Sequence, residues 1–556
     1  VWICARRYAR AFSPRRQPVG VQADIQWPKP PSAFWPQCPK PGVTSSPGNQ
    51  NRGMQSLRVD GPWWCQPGLD LRGGRYPLAV EAPVLRMVDR LLPGVTTLTY
   101  IARYFALYWA LADYADQHDL DTENCRLLVR RTEVALGLLS LFDQQTRTFD
   151  GPGGLHGADR IKRAINEGTV GNLTTDGSGS YSPRPWGFWS QYGGASVALG
   201  SVVVEKRALR RGSTPCPQQL RDSFRPLLEA CSRGPLDLDG CAQFVDLGGF
   251  VPTKDEAMHL RSLLVPHKNS VGEYTGDAQA RRVAFQLVAR SVQLTGGQPG
   301  RSFTNMAQET VAFGGHVSSD PVLGAAEQVQ GWRGTLLRHY SVGAWRRLWS
   351  ALVDHIREEV EPCDSEDIHR WVRKNVGDMS LQDFISGLPA TVNGHNEISN
   401  AEESLDFAMG WKQNIALLLI GAKRTDELDG LAKRAFLGGG NRQQFLDPVW
   451  IAHRRDEYID RTLAEFACAL TDDMVSQSKR VALRKMTSRD GHFVMFTKLH
   501  EREGRYFASG LEGRGNVGVR LEQVGQLSLQ LGLIVQNSDG SLKVSRMGRE
   551  TLGLPL

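Results

Sequence analysis

The stretch Val95–Ala115, VTTLTYIARYFALYWALADYA, constrains this chain more than any other. Tyr100, Tyr104, Phe105, Tyr108, Trp109 and Tyr114 recur so densely that, at about 100° per residue, they cover most of a helix circumference. A helix that is apolar nearly all round must sit inside a protein core or a membrane. Arg103 and Asp113 limit the uninterrupted apolar run to nine residues, against roughly 20 needed to cross a bilayer. The segment therefore predicts a buried central helix, begun after Pro93-Gly94 with Thr96 or Thr97 as its cap. Base stacking on the same aromatics is the alternative role. Asp121 should cap a second helix, Asn124–Phe142, packed against the first.

Length suits about three to four domains. The chain is 41% hydrophobic and 22% charged, as in ordinary globular proteins. Its net charge of +7 is unevenly placed. Residues 1–53 hold eight Lys/Arg against Asp24 alone, and residues 474–556 hold thirteen against seven acids, so the long middle is acidic. A uniform polyanion-binding surface is excluded, whereas local positive charge at the C-terminal end suits phosphate contacts. The nine cysteines are scattered without a Cys-x-x-Cys, which argues against a disulfide framework or a zinc site and for free thiols in a reducing cytoplasm. Cys231 and Cys241 are close enough in sequence to bridge, but nothing else argues for it. Residues 1–53 carry nine of the 29 prolines, early arginines and no hydrophobic period, so disorder is expected there. Because the chain opens with Val1 and Met54 precedes globular-looking sequence, they read as an upstream extension, or else as an arginine-rich targeting or nucleic-acid arm. No apolar secretory segment follows the early arginines.

Residues 150–185 are rich in Gly, Ser, Thr and Asn and read as long loops. His156 and Asp159 on the glycine-rich stretch Gly151–Arg160 are candidate catalytic groups without an evident nucleophile. From about 275 to 470 the pattern is helical, with helices expected at 278–294, 320–338, 343–360, 366–375, 381–387, 400–421 and 455–470. Ser380-x-x-Asp383 and Ser399-x-x-Glu402 have the spacing of capping boxes. No heptad repeat is sustained, so coiled-coil assembly is not indicated.

The C-terminal stretch Asn516–Glu550 orders its signals differently. Val517, Leu521, Val524 and Leu531 recur at helical spacing, and Gly532 is the usual left-handed helix terminator. Two β-prone runs, Ile534–Gln536 and Ser541–Val544, flank an Asp539-Gly540 hairpin signal, and a last helix starts near Ser545. Helix, Leu-Gly, hairpin and closing helix together resemble the second half of a winged helix-turn-helix domain. A basic helix with Lys479, Arg480, Arg484 and Lys485 and a hairpin pairing His492–Leu499 with Arg505–Ser509 precede it. Tyr192–Gly200, Val202–Val204, Glu205–Arg211 and Gln218–Cys231 echo the same order, so a second winged-helix-like unit and a generic helix-hairpin-helix are both open there.

The resemblance implies that Val517–Leu531 enters the major groove of double-stranded DNA. Arg520, Gln523 and Gln526 would then read base edges, with Arg514 and Asn516 at the helix approach. Lys543 on the wing, with Lys479, Arg480, Arg484 and Lys485, would neutralise phosphates. A literal G-x-G-x-x-G, Gly513–Gly518, with Asp539 beyond it, is the rival reading as a dinucleotide site. Only 38 residues follow Gly518 and Asp539 falls at a hairpin tip, so a Rossmann unit is disfavoured and no cofactor is expected. Neither a P-loop nor H-E-x-x-H, G-x-S-x-G or an EF-hand occurs.

These signals make the chain mainly α with small β-hairpins (α+β). The expected division is a 1–53 extension, a helical domain 54–185, a winged-helix-like unit 186–240, a helical domain 241–473 and a winged helix 474–556. The leading functional expectation is a cytoplasmic DNA-binding protein, a regulator or a DNA-engaging subunit, with no membrane partner. A helical scaffold whose winged helix docks a partner protein is the alternative, and an enzyme with an unrecognised site the third.

Overall fold

The computed structural model describes residues 75–151, 153–274, 277–406, 410–440, 445–489 and 492–555. The 1–53 extension and Cys4, Cys38 and Cys65 lie outside them. The first described helices are α1 (Ala82–Leu91), α2 (Ala102–Gln117) and α3 (Thr122–Leu141). Every residue of α2 from Ala102 to Asp113 is buried, as its all-round aromatic pattern requires. The helix starts later than the sequence suggested. Thr96 and Thr99 close a turn of their own, with the Thr96 N–H donating to Thr99 Oγ1 at 2.7 Å, and the extended Ile101 becomes the cap position. Asp121 caps α3 as expected, accepting from the Asn124 N–H at 2.8 Å.

The loop-like region holds a short helix, α4 (Ala158–Asn166), which a glycine-rich composition concealed. After it come α5 (Trp189–Ala198), the antiparallel strands β1 (Val202–Glu205) and β2 (Ala208–Arg211), and α6 (Gln218–Arg233). The short α7 (Leu238–Ala242) and then α8 (Lys254–Leu264) follow, the latter with a capping box between Thr253 and Glu256. Arg103 of α2 reaches this region with its guanidinium buried, bonding Glu256 and the carbonyls of Leu247, Gly249 and Val251. The charge that argued against a membrane span thus ties α2 to α8.

The middle runs through α9 (Ala278–Leu294), α10 (Phe303–Ala307), a π turn at Gln308–Ala312, α11 (His316–Ser319) and α12 (Glu327–Glu358). The two helices expected at 320–338 and 343–360 are one. Buried Trp332, Trp345 and Trp349 lie along it, and the backbone passes through residues 339–342 without a break. Next are α13 (Ser365–Val376), α14 (Leu381–Ser386), α15 (Trp411–Glu427), α16 (Gly430–Phe436), α17 (Pro448–Tyr458) and α18 (Leu463–Lys485). Ser380 caps α14 through the Asp383 N–H. The Ser399 box does not form, because Ser399 Oγ bonds the Ala390 carbonyl and Glu402 is drawn to the fully buried Arg424. The helix expected from 400 therefore begins at Trp411. The expected 455–470 helix is divided instead, since Thr462 and Glu465 form a capping box that starts α18 anew.

The chain ends with β3 (Thr487–Arg489) paired to β4 (His492–Val494), β5 (Leu499–Arg502) paired to β6 (Arg505–Ala508), α19 (Leu521–Gln530), the β7 (Ile534–Gln536) and β8 (Leu542–Val544) hairpin, and α20 (Arg546–Leu552). Where one long hairpin was expected at 492–509 there are two short ones. The described chain is mainly helical with small antiparallel hairpins. Among the described residues one hydrophobic cluster runs from Leu78 to Leu554. Cys231 and Cys241 are both free and buried, as are the other described cysteines. Among the described residues no helix is long and apolar enough to cross a membrane.

Candidate functional site at the C-terminal module

The module is built as its residues require. Val517 and Val519 are buried ahead of the helix, and Arg520 takes a left-handed conformation (φ 66°) that turns the chain into α19. The helix is thus shorter than the expected Val517–Leu531. At its end Gly532 adopts φ 70°, a conformation that costs glycine little, while the Leu531 and Leu533 N–H groups bond the carbonyls of Leu527 and Ser528, each at 2.9 Å. At the hairpin tip the Asn537 N–H bonds the Ser541 carbonyl at 2.8 Å, and Asp539 accepts from the Ser541 N–H at 2.9 Å. Ser545 caps α20 through the Gly548 N–H.

The expected DNA contacts occupy different situations. Arg520 is paired with Asp89 at 2.6 Å and donates to the Val95 carbonyl at 3.0 Å, leaving its side chain 12% exposed. Gln523 donates to the Thr97 carbonyl at 3.4 Å. Gln526 and Lys543 are exposed. Arg514 is exposed but bound to Asp354, which holds the guanidinium in its charged form. Asn516 accepts from Arg347 at 2.9 Å. On α18, Lys479 pairs with Glu501 and lies over the Tyr506 ring, and Arg480 stacks 4.0 Å from the centroid of Phe445. Arg484 is exposed. Lys485 donates to the carbonyls of Arg75 and Tyr76, and burial pushes its amine below the usual lysine range.

Residues that the sequence did not single out fix the module in place. Gln530 accepts from the Ala102 N–H at 2.9 Å and donates to the Tyr100 carbonyl at 2.7 Å, directly at the start of α2. From the other side, Tyr192 of α5 accepts from the Ile101 N–H at 3.2 Å. Helices α5 and α19 therefore clasp one short segment, α5 at Ile101 and α19 at Tyr100 and Ala102 on either side of it. Arg261 of α8 donates to the Leu531 carbonyl at 2.8 Å, and the Leu542 N–H of β8 bonds the Gly297 carbonyl at 2.8 Å. Gly525 lies so close to Phe303 that a Cβ there would sit 2.1 Å from its ring.

The echo near residue 190 is also sharper in space than in sequence. Gly193-x-x-Ser196-x-x-Leu199-Gly200 matches Gly525-x-x-Ser528-x-x-Leu531-Gly532 position by position. Both serines and both leucines are buried, and Gly200 (φ 74°) and Gly532 (φ 70°) end their helices alike. The Ser201 N–H bonds the Ser196 carbonyl just as Leu533 bonds Ser528. This repeated spacing was the signal that would have marked both clasping helices.

His156, the candidate catalytic group, stands among aromatic rings, with centroids 5.2 Å from Tyr104 and 5.2 Å from Phe188. Its Nε2 is 3.3 Å from the Tyr192 hydroxyl, and burial pushes its pKa down to about 4. Asp159 is exposed in the first turn of α4. Beneath the cluster, Glu133 accepts from the Tyr108 and Tyr181 hydroxyls and from the Phe188 and Trp189 N–H groups. These donors close the carboxylate off and join α3 to the start of α5.

No known protein family, curated protein or solved structure matches this chain.

Proposed function

We propose that this chain is a helical interaction scaffold whose winged-helix-like modules are built into its body and offer docking surfaces for a partner protein. The observation that carries this reading is the uncharged free face of the clasping helices. On α5 the exposed residues are Gly194, Val197 and Ala198, and on α19 the exposed residue is Gln526. Arg520, the strongest base-reading candidate, is spent on Asp89 and Val95. Phosphate contact rests on free cationic groups, whereas the centre of a protein interface is depleted in charge. Duplex DNA is the second reading, favoured by the exposure of Gln526 and Lys543 together.

Anisotropy of labelled duplexes titrated with the full chain, from roughly 50 to 200 mM salt, separates the two readings. The scaffold reading expects weak binding at most, equal for unrelated sequences and unchanged by Gln526→Ala with Lys543→Ala. Sequence-selective binding that this double variant abolishes, with the fold intact, would overturn it in favour of DNA.

A further inference from the structure

Helix α18 carries opposite charge at its two ends. From Met474 to Arg489 the chain has five Lys/Arg and no acid. Ser476, Lys479, Arg480, Leu483 and Arg484 are exposed there, at the spacing of one helix face. Lys479 is taken up by Glu501, whereas Arg480 and Arg484 pair with no carboxylate among the described residues. Leu483, 56% exposed, stands between them, and Arg480 is held over the Phe445 ring. The helix dipole accounts for Arg484 and Lys485 in the last turn. It accounts neither for Arg480, more than a turn earlier, nor for an exposed leucine.

At the other end of the helix, Asp378, Glu457, Asp460 and Glu465 surround a single Arg461 in a groove of about 700 Å³. Backbone bonds fix its walls. The Leu381 N–H bonds the Arg461 carbonyl at 3.0 Å and the Leu463 N–H bonds the Met379 carbonyl at 2.9 Å, strapping one side of the groove to the start of α18. Glu457 and Glu465 have Arg454 and Arg461 as partners, at 2.7 and 3.3 Å. Asp378 and Asp460 are exposed and pair with no cation among the described residues. Met379, 39% exposed, flanks them. Two unpaired carboxylates and an apolar side chain thus match the two unpaired guanidiniums and the leucine of the basic stripe.

Helix α18 is 23 residues long, so its ends lie about 34 Å apart and the two surfaces of one chain cannot meet. We propose that the stripe of Arg480, Leu483 and Arg484 docks in the acidic groove of a second copy of this chain. Guanidinium and carboxylate make charge-assisted bonds of fixed geometry, which set the register of the contact. Leu483 and Met379 add the apolar contact that a purely ionic surface lacks. Neither surface includes the free faces of α5 and α19, so this contact stands apart from the docking reading.

Sedimentation velocity of the full chain at about 50 mM salt, with the concentration raised to about 100 μM, tests this. The chain should leave the monomer as its concentration rises and return to it at about 500 mM salt, where exposed ion pairs are screened. Arg480→Glu with Arg484→Glu, and separately Asp378→Lys with Asp460→Lys, should each weaken self-association about tenfold or more. All four positions are exposed, so both variants keep the fold. An equal mixture of the two variants should pair one to one, since each supplies the surface the other lacks. A chain that stays monomeric at low salt would overturn the proposal and leave the stripe to another partner. So would self-association that either variant leaves unchanged, or a mixture that remains monomeric.

Discussion

Arg103→Met is expected to cost about 3–5 kcal/mol of folding stability, because it leaves a buried carboxylate without its countercharge. The Arg103 and Glu256 side chains are each 1% exposed and 2.9 Å apart. The guanidinium also donates to the carbonyls of Leu247, Gly249 and Val251, at 2.7, 2.5 and 3.0 Å. Methionine fills similar space but supplies none of these donors, and Glu256 Oε1 already lacks a partner. The loss should appear in urea unfolding as a lower midpoint with an unchanged slope. Arg103→Met combined with Glu256→Leu should recover much of it, since an apolar pair of similar volume removes the orphaned charge. A cost below about 1 kcal/mol for the single variant would place Arg103 with ordinary surface ion pairs.

The second large effect concerns Glu133 and depends on pH. Burial pushes this carboxyl from 4.5 up to about 7, against the opposing pull of its four donors. A raised pKa in the fold means that the folded state holds the proton more tightly than the unfolded chain. The contribution to stability is therefore full below about pH 4.5 and is lost as pH rises through about 7, by about 3 kcal/mol in all. Glu133→Gln removes it. His156, His339 and His500, each pushed down to about 4 chiefly by burial, act in the opposite sense and lose stability as pH falls below 6.5. They are common to both proteins and cancel in the comparison. Urea unfolding of the two proteins between pH 5 and 8 should show the wild-type advantage shrinking as pH rises. A difference that stays flat across that range would contradict the assignment.

These contacts also mark how far the sequence could be read. The burial of Tyr104, Phe105, Tyr108 and Trp109 follows from periodicity alone, since an all-round aromatic helix has nowhere else to go. The start of α2 does not, because a local bond between Thr96 and Thr99 outweighs helix propensity over four residues. Glu402 has capping-box spacing, yet a salt bridge to Arg424, 22 residues away, overrides it. The elements of the C-terminal module were legible from Leu531-Gly532, Asp539-Gly540 and Ser545, because each is fixed by its own neighbours. Its docking was not. Arg520 and Gln530 look like free polar residues on a helix until Asp89 and Tyr100, more than 400 positions earlier, are brought beside them. The partners of Glu133, on α2 and on the segment leading into α5, are likewise invisible to a local window of sequence.

Helix α19 is expected to behave as part of the body rather than as a helix on a separable domain. Native-state hydrogen exchange of the full chain tests it most directly, by comparing the amides of Leu527–Leu533 with those of Phe105–Ala112. If α19 is locked into the body through Gln530 on the start of α2, Arg520 on Asp89 and Gly525 against Phe303, both sets should open only in global unfolding and share one free energy of exchange. Exchange of Leu527–Leu533 at a free energy several kcal/mol lower, with Phe105–Ala112 still protected, would show a module that opens by itself and would contradict the account.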